Sequence, residues 1–272
     1  MAKDELHLFR KYLPENCEVQ IEPMGSSFLA ILKNEKKLSF GCHSDSRLAL
    51  FQAVGHYLAQ RLPQQLGLDP NALWVYGVQS DSARLQSILK AISYWAFNQW
   101  LNKNLVPQVM DLPSRREEQL RLFLPRAKQV CVYTVPLSLF ERETGIMHVR
   151  FLTVEVQTDQ GDSLLSGTVS LNNETALEHE AQWIRVLSQL WWQQCLLQGE
   201  VQNPDPAQLQ RLKTLQAVAP VAQNKAAFVA WPALRLRQIH GEDLKILADL
   251  PGYLWSAEVE DEQKLVENKW LL

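Results

Sequence analysis

KKLSFGCHSDSRLALFQAVGHYLAQRL, residues 36–62, passes from a strand-like run through a glycine turn into a run with helical spacing. Leu48, Phe51, Val54 or Gly55, Leu58 and Leu62 recur at three- and four-residue steps, which predicts one buried helical face from Ser46 to Leu62, ended by Pro63. The same device returns when ALWVYG leads into GVQSDS, residues 77–82. Leu85, Ile88, Leu89, Ile92, Ala96 and Trp100 then mark a helical face between Ala83 and Leu101. A third junction starts at Gly167 in LLSGTVSLNNETAL, with a helix predicted from Glu174 to Leu197 through Leu177, Ala181, Ile184, Leu187, Trp191 and Cys195.

Glycine at each junction permits a sharp turn, including one with positive φ. Polar side chains then cap the helix: Asp45 or Ser46, Asp81 or Ser82, and Asn172 or Asn173. Free N–H groups at such turns also suit phosphate. No GK[ST] follows any of them and none reads GxGxxG, so capping is the plainer role. Repeated strand, glycine turn and helix units predict an α/β (α+β) fold, with mixed sheets packed against long amphipathic helices.

Outward from these units, residues 4–13 read as a short helix, and EVQIEP and SFLAILK as strands joined by tight turns to KKLSFG. LVPQVMDLPSRREEQLRLFLPRAK reads as a crossing segment with a short helix from Glu117 to Phe123. VCVYTVPL, MHVRFLTVEVQT and LLSGTVSL read as strands, the last two joined by a hairpin turn at TDQGD. QGEVQNPDPAQ is the best linker, dividing a core at 1–198 from a C-terminal extension at 199–272 that can equally complete the same domain. In that extension a helix is predicted at Pro206 to Val218, an apolar stretch at AAFVAW, a helix near Glu242 to Asp249 and a strand at LWSAEVE.

Composition narrows the functional classes. A chain of 272 residues with 46% apolar content buries a real core, and a net charge of −3 gives no overall attraction for a polyanion. Four cysteines lie far apart, without disulfide or zinc spacing, which points to a reducing cytoplasm. MAKDELHLFRKYL lacks a signal-peptide core, and no apolar run approaches the roughly 20 residues of a membrane helix. Trp95, Trp100, Trp191 and Trp192 read as helix packing.

Cys42 and His43 are neighbours in a turn, where a nucleophile and its base rarely meet. His56 reads as a half-buried packing residue, and His148, His179 and His240 have no partner at metal-ligand spacing. Residues 4–62 follow the outline of a double-stranded-RNA-binding domain, but Arg47 is the lone cation at the start of its last helix, so nucleic acid lacks electrostatic support.

The order of these pieces resembles the YcaO family, ATP-dependent enzymes that activate peptide amide carbonyls to make azolines, thioamides or amidines. The resemblance rests on GVQSDSARLQSILKAISYWAFNQW, with its closing Trp100, and on GTVSLNNETALEHEAQWIRVLSQLWW, where Arg185 takes the family's arginine position; it covers residues 17–197. The resemblance implies an ATP site whose magnesium ions are held by helix carboxylates. Here those positions carry Lys90 and Ser93, with Tyr94 at a second arginine position, and Gln189 and Trp192. A site so altered has no ligands for a divalent cation.

The resemblance, with its acidic positions replaced, implies a non-catalytic YcaO-like subunit, cytoplasmic and without cofactor or metal. It would bind a peptide or pair with a related protein subunit, as a homo- or heterodimer, in a peptide-modifying complex. The alternatives are a nucleotide-binding enzyme of the same class using ATP and magnesium, with Lys90 and Arg185 on phosphate, and a general interaction or RNA-binding module.

Overall fold

β-Branched and aromatic alternation sets the strands, and apolar spacing of three and four sets the helices. The structure, a computed structural model, describes residues 9–33, 38–69, 72–101, 108–141, 145–172, 175–199, 209–210, 212–213, 233–235 and 252–259. In chain order a short 3-10 turn at Arg10–Tyr12 precedes β1 (Glu18–Met24), β2 (Ser27–Lys33), β3 (Leu38–His43), α1 (Ser46–Gln65), β4 (Trp74–Gly77) and α2 (Ser80–Leu101). There follow β5 (Gln108–Met110), α3 (Ser114–Phe123), β6 (Ala127–Glu141), β7 (Gly145–Thr158), β8 (Ser163–Leu171), α4 (Ala176–Leu197), β9 (Ala233–Arg235), β10 (Tyr253–Ser256) and β11 (Glu258–Val259). The fold is mixed α+β, as the sequence predicts.

Two compact units divide the chain. The first holds residues 1–91, 175–185 and 235–258, and the second 92–174, 186–234 and 259–272. In the first unit, β1, β2 and β3 form an antiparallel sheet with Ala30 opposite Gly41 and Leu29 opposite Cys42. Its core joins Ala30 and Leu32 to Ala49, Leu50, Ala53, Val54, Leu58 and Leu62 of α1, with Trp74 and Tyr76 of β4. β10 pairs antiparallel with β4, Trp255 opposite Val75.

In the second unit, β6 and β7 form a long antiparallel hairpin, and β8 returns along β7 with Gly167 opposite Thr153. β9 pairs parallel with β6, which makes this sheet mixed. β7 lies between β6 and β8, which pair both its edges, and Thr153 to Val156 are buried on both faces. Gly161, at φ 87°, supplies the left-handed residue of the predicted β7–β8 turn.

Several expectations need correction. α1 runs on to Gln65 with Pro63 inside its last turn, and Leu48, assigned to the buried face, is 45% exposed. Leu177 is likewise exposed at the start of α4. The junction glycines are not there for positive φ. A Cβ on Gly41 would lie 1.9 Å from Ala49 O, one on Gly77 3.0 Å from Ala83 Cβ, and one on Gly167 2.9 Å from Phe151 Cε2. All three serve close approach.

The caps differ too. Asp45 caps α1 as one of its two candidates, accepting from Arg47 N at 2.7 Å and Leu48 N at 3.2 Å. α2 starts at Ser80, which puts Asp81 and Ser82 inside the first turn. At α4 the cap is Thr175, not Asn172 or Asn173: its Oγ1 accepts from Glu178 N at 3.3 Å while Glu178 Oε2 accepts from Thr175 N at 2.6 Å, a capping box.

Trp95 and Trp100 are buried, Trp100 with its ring 6.0 Å from Tyr133, while Trp191 and Trp192 are half-buried. The expected elements at AAFVAW and near Glu242 to Asp249, and most of the one at Pro206 to Val218, lie outside the described residues. Among the described residues, no helix is long and apolar enough to cross a membrane.

Candidate functional site

The first unit gathers its polar chemistry where α1, α2 and α4 meet β3 and β4. Gln52 and His56 stand one turn apart on α1, so they share a face. Gln52 Oε1 accepts from Cys42 N at 3.0 Å and from Arg185 Nη2 at 3.3 Å, tying α1 to β3 and to α4. Lys90, on α2, donates from Nζ to Trp74 O of β4 at 3.1 Å. His56 is hydrogen-bonded to the backbone of Phe40 on β3.

The electrostatics agree that these groups are neighbours. Burial, and after it the Arg185 charge, push Lys90 down to about 8. Burial, then Arg185 and Lys90, push His56 down to about 3, so its imidazole is neutral at physiological pH. Burial raises the Cys42 thiol to about 12, against the opposing pull of Arg185. Cys42 is thus an inert thiol rather than a nucleophile. Glu180, itself buried, is the carboxylate of this neighbourhood and acts on Cys42 alongside Arg185.

Lys90, His56 and Arg185 are half-buried rather than sealed. Lys90 and Arg185 form a basic patch with neutral His56 beside them in a low-dielectric surround. His43 takes no part in it, because its Nδ1 accepts from Asp45 N at 3.0 Å within the turn.

The remaining substituted positions belong to the second unit. Ser93 Oγ accepts from Val169 N at 3.0 Å, and Gln189 Oε1 accepts from Ser166 Oγ. Both side chains are committed to β8. Gln193 completes the pattern, accepting from Leu165 N at 3.1 Å and donating to Leu165 O at 2.7 Å. Tyr94 is buried and Trp192 half-buried.

Of the six positions that the family resemblance singles out, the structure brings Lys90 and Arg185 together in one patch. Gln52 and His56 join that patch, and sequence reasoning missed them; their four-residue spacing on α1 was the available signal. Among the described residues, no three of His, Cys, Asp or Glu come together as metal ligands would.

No family model matches the chain, and no curated protein matches it either. Solved structures do. YcaO from Methanopyrus kandleri, bound with AMPPCP and Mg2+, is 10% identical and superposes with a TM-score of 0.54, covering 96% of this chain and 90% of its own. At that identity the likeness speaks for the fold: this chain has a YcaO-like fold.

Proposed function

We propose that the chain is a non-catalytic YcaO-like subunit that binds a peptide, or pairs with an active relative, in a complex that modifies ribosomally made peptides. One observation carries this reading. Where the resemblance puts acidic ligands, the chain has a lysine beside an arginine, and a serine and a glutamine already bonded to β8.

A magnesium ion beside a triphosphate needs hard, anionic oxygens. Two half-buried cations repel such an ion, and a neutral amide offsets none of its charge. The residues therefore do not fit magnesium, and no chemical step is derived through it. Isothermal titration of the full chain with Mg-ATP tests the reading. No magnesium-dependent binding in the micromolar range is expected, and observing it would overturn the proposal.

A second reading, a nucleotide-binding enzyme of the same ATP-dependent class, draws on the convergence of Lys90 and Arg185 and on the AMPPCP and Mg2+ held by the Methanopyrus protein. Under it, Lys90→Ala abolishes ATP-dependent turnover and leaves the circular dichroism spectrum unchanged.

A further inference from the structure

We infer that the groove between α3 and the N-terminal end of β6, in the second unit, docks an extended peptide segment that carries an apolar side chain and, two residues away, a carboxylate. The inference rests on the non-catalytic, peptide-binding reading and gives that peptide a place and a chemistry.

The groove measures about 250 Å3. Its apolar lining is Leu120 of α3, which is buried, with Leu112 and Val130, both half-buried. That volume is below the roughly 300–1,000 Å3 of a small-molecule site and suits one large side chain. Its charged lining is Glu117, Arg121 and Lys128. Glu117 and Arg121 neutralise each other through an ion pair of 2.8 Å along one turn of α3. Lys128 is exposed and, among the described residues, makes no hydrogen bond or ion pair. One cation is thus left over, and it matches one carboxylate. The chain as a whole carries a charge of −3, so an acidic segment is held here by this local cation rather than by the protein's general field.

The backbone beside the groove selects the extended form. On the edge of β6 away from β7, β5 pairs with Val132, Tyr133 and Thr134, and β9 with Phe140 and Glu141. β5 ends at Met110, and Gln129 to Cys131 have no strand partner on that edge among the described residues. An open edge of this kind accepts a further strand. The β6–β7 ladder has its bulge at Lys128, between the paired Ala127 and Gln129, and Lys128 and Val130 line the same groove. Side chains two residues apart on a docked strand share a face, so one meets Val130 in the groove as the other meets Lys128.

The test uses the full chain and a fluorescein-labelled peptide, acetyl-Thr-Glu-Thr-Leu-Thr-Glu-Thr-amide, whose spacing is the same in either strand direction. Saturable binding by anisotropy is expected. It should weaken about tenfold when the leucine becomes threonine, or when the leucine moves next to a glutamate and so turns to the opposite face. Lysine in place of both glutamates, or Lys128→Glu in the protein, should each weaken it about fivefold, and Lys33→Glu, on an exposed cation of the first unit, should not. Hydrogen exchange of the wild-type chain adds a readout that needs no variant: the peptide should slow the amides of Gln129 to Cys131 and leave those of β1, an edge strand of the first unit, unchanged.

No saturable binding, binding indifferent to the position of the leucine or to Lys128→Glu, or protection confined to β1 overturns the groove and leaves the non-catalytic reading standing. A uridine oligonucleotide that binds more tightly than the peptide, and loses that binding in Lys128→Glu, overturns the peptide in favour of nucleic acid. Micromolar binding of Mg-ATP is the separate result that overturns the non-catalytic reading.

Discussion

α2 and α4 each give one half to the first unit and the other half to the second, and the two halves use their polar side chains in opposite ways. In the first unit they present charge: Lys90 and Arg185 stand close enough to repel. In the second they present neutral groups that satisfy a strand, as Ser93, Gln189 and Gln193 bond to β8. β8 is the edge of its sheet, and backbone groups left bare on a buried edge are expensive. The neutral set bonds the backbone of one strand, whereas the charged set bonds one β4 carbonyl and the Gln52 side chain of α1.

Substitutions sharpen the contrast. Gln193→Leu strips the buried backbone N–H and C=O of Leu165 of their two side-chain partners and should lower stability by about 3 kcal/mol in denaturant unfolding. Ser93→Ala bares one N–H, that of Val169, and should cost about 1–2 kcal/mol by the same measurement. A loss below about 0.5 kcal/mol in both would break the comparison at its structural end.

Lys90→Met should behave differently, leaving stability at pH 7 unchanged or higher, because it removes a half-buried charge that its neighbour repels. It should also change the pH profile. Above about pH 8 the folded protein has lost the Lys90 proton that the unfolded chain keeps up to about 10.4, so wild-type stability rises across that window and the variant should be flat there.

Glu155 tests the opposite sign in the second unit. It is buried, its Oε1 has no hydrogen-bond partner among the described residues, and burial raises its carboxyl above the usual range. The folded state therefore holds a proton that the unfolded chain has released, and stability falls as pH rises through the window above the unfolded value near about 4.3. Glu155→Gln should remove that decline in urea titrations at several pH values. The smallest effect belongs to Arg121→Ala: its exposed pair with Glu117 should be worth under about 1 kcal/mol.

The parts of the fold set by local periodicity were legible in the sequence. The three amphipathic helices, the β1–β2–β3 hairpins and the turn at Gly161 follow from spacing that any exposed-versus-buried surface enforces. β5 was missed, being a three-residue strand defined by Tyr133 and its neighbours rather than by its own residues. The junction glycines were found but given the wrong reason, since a close approach depends on the element across the gap.

The candidate site was half legible. Lys90 and Arg185 stood out against the family's pattern of carboxylates and arginines, while Gln52 and His56 were marked only by their four-residue spacing on α1. Their roles depend on contacts made across 133 residues between Gln52 and Arg185 and between α1 and β3, which no window along the chain contains.

One hydrogen atom calibrates the patch. Because Gly41 bears no side chain, α1 can press its Ala49 carbonyl to where a methyl group would otherwise sit, and the next residue of the strand then meets Gln52 at bonding distance. Gly41→Ala would act as a spacer inserted behind the site. It would part Gln52 from Cys42 and release the grip on Arg185, although Gly41 itself touches no ligand.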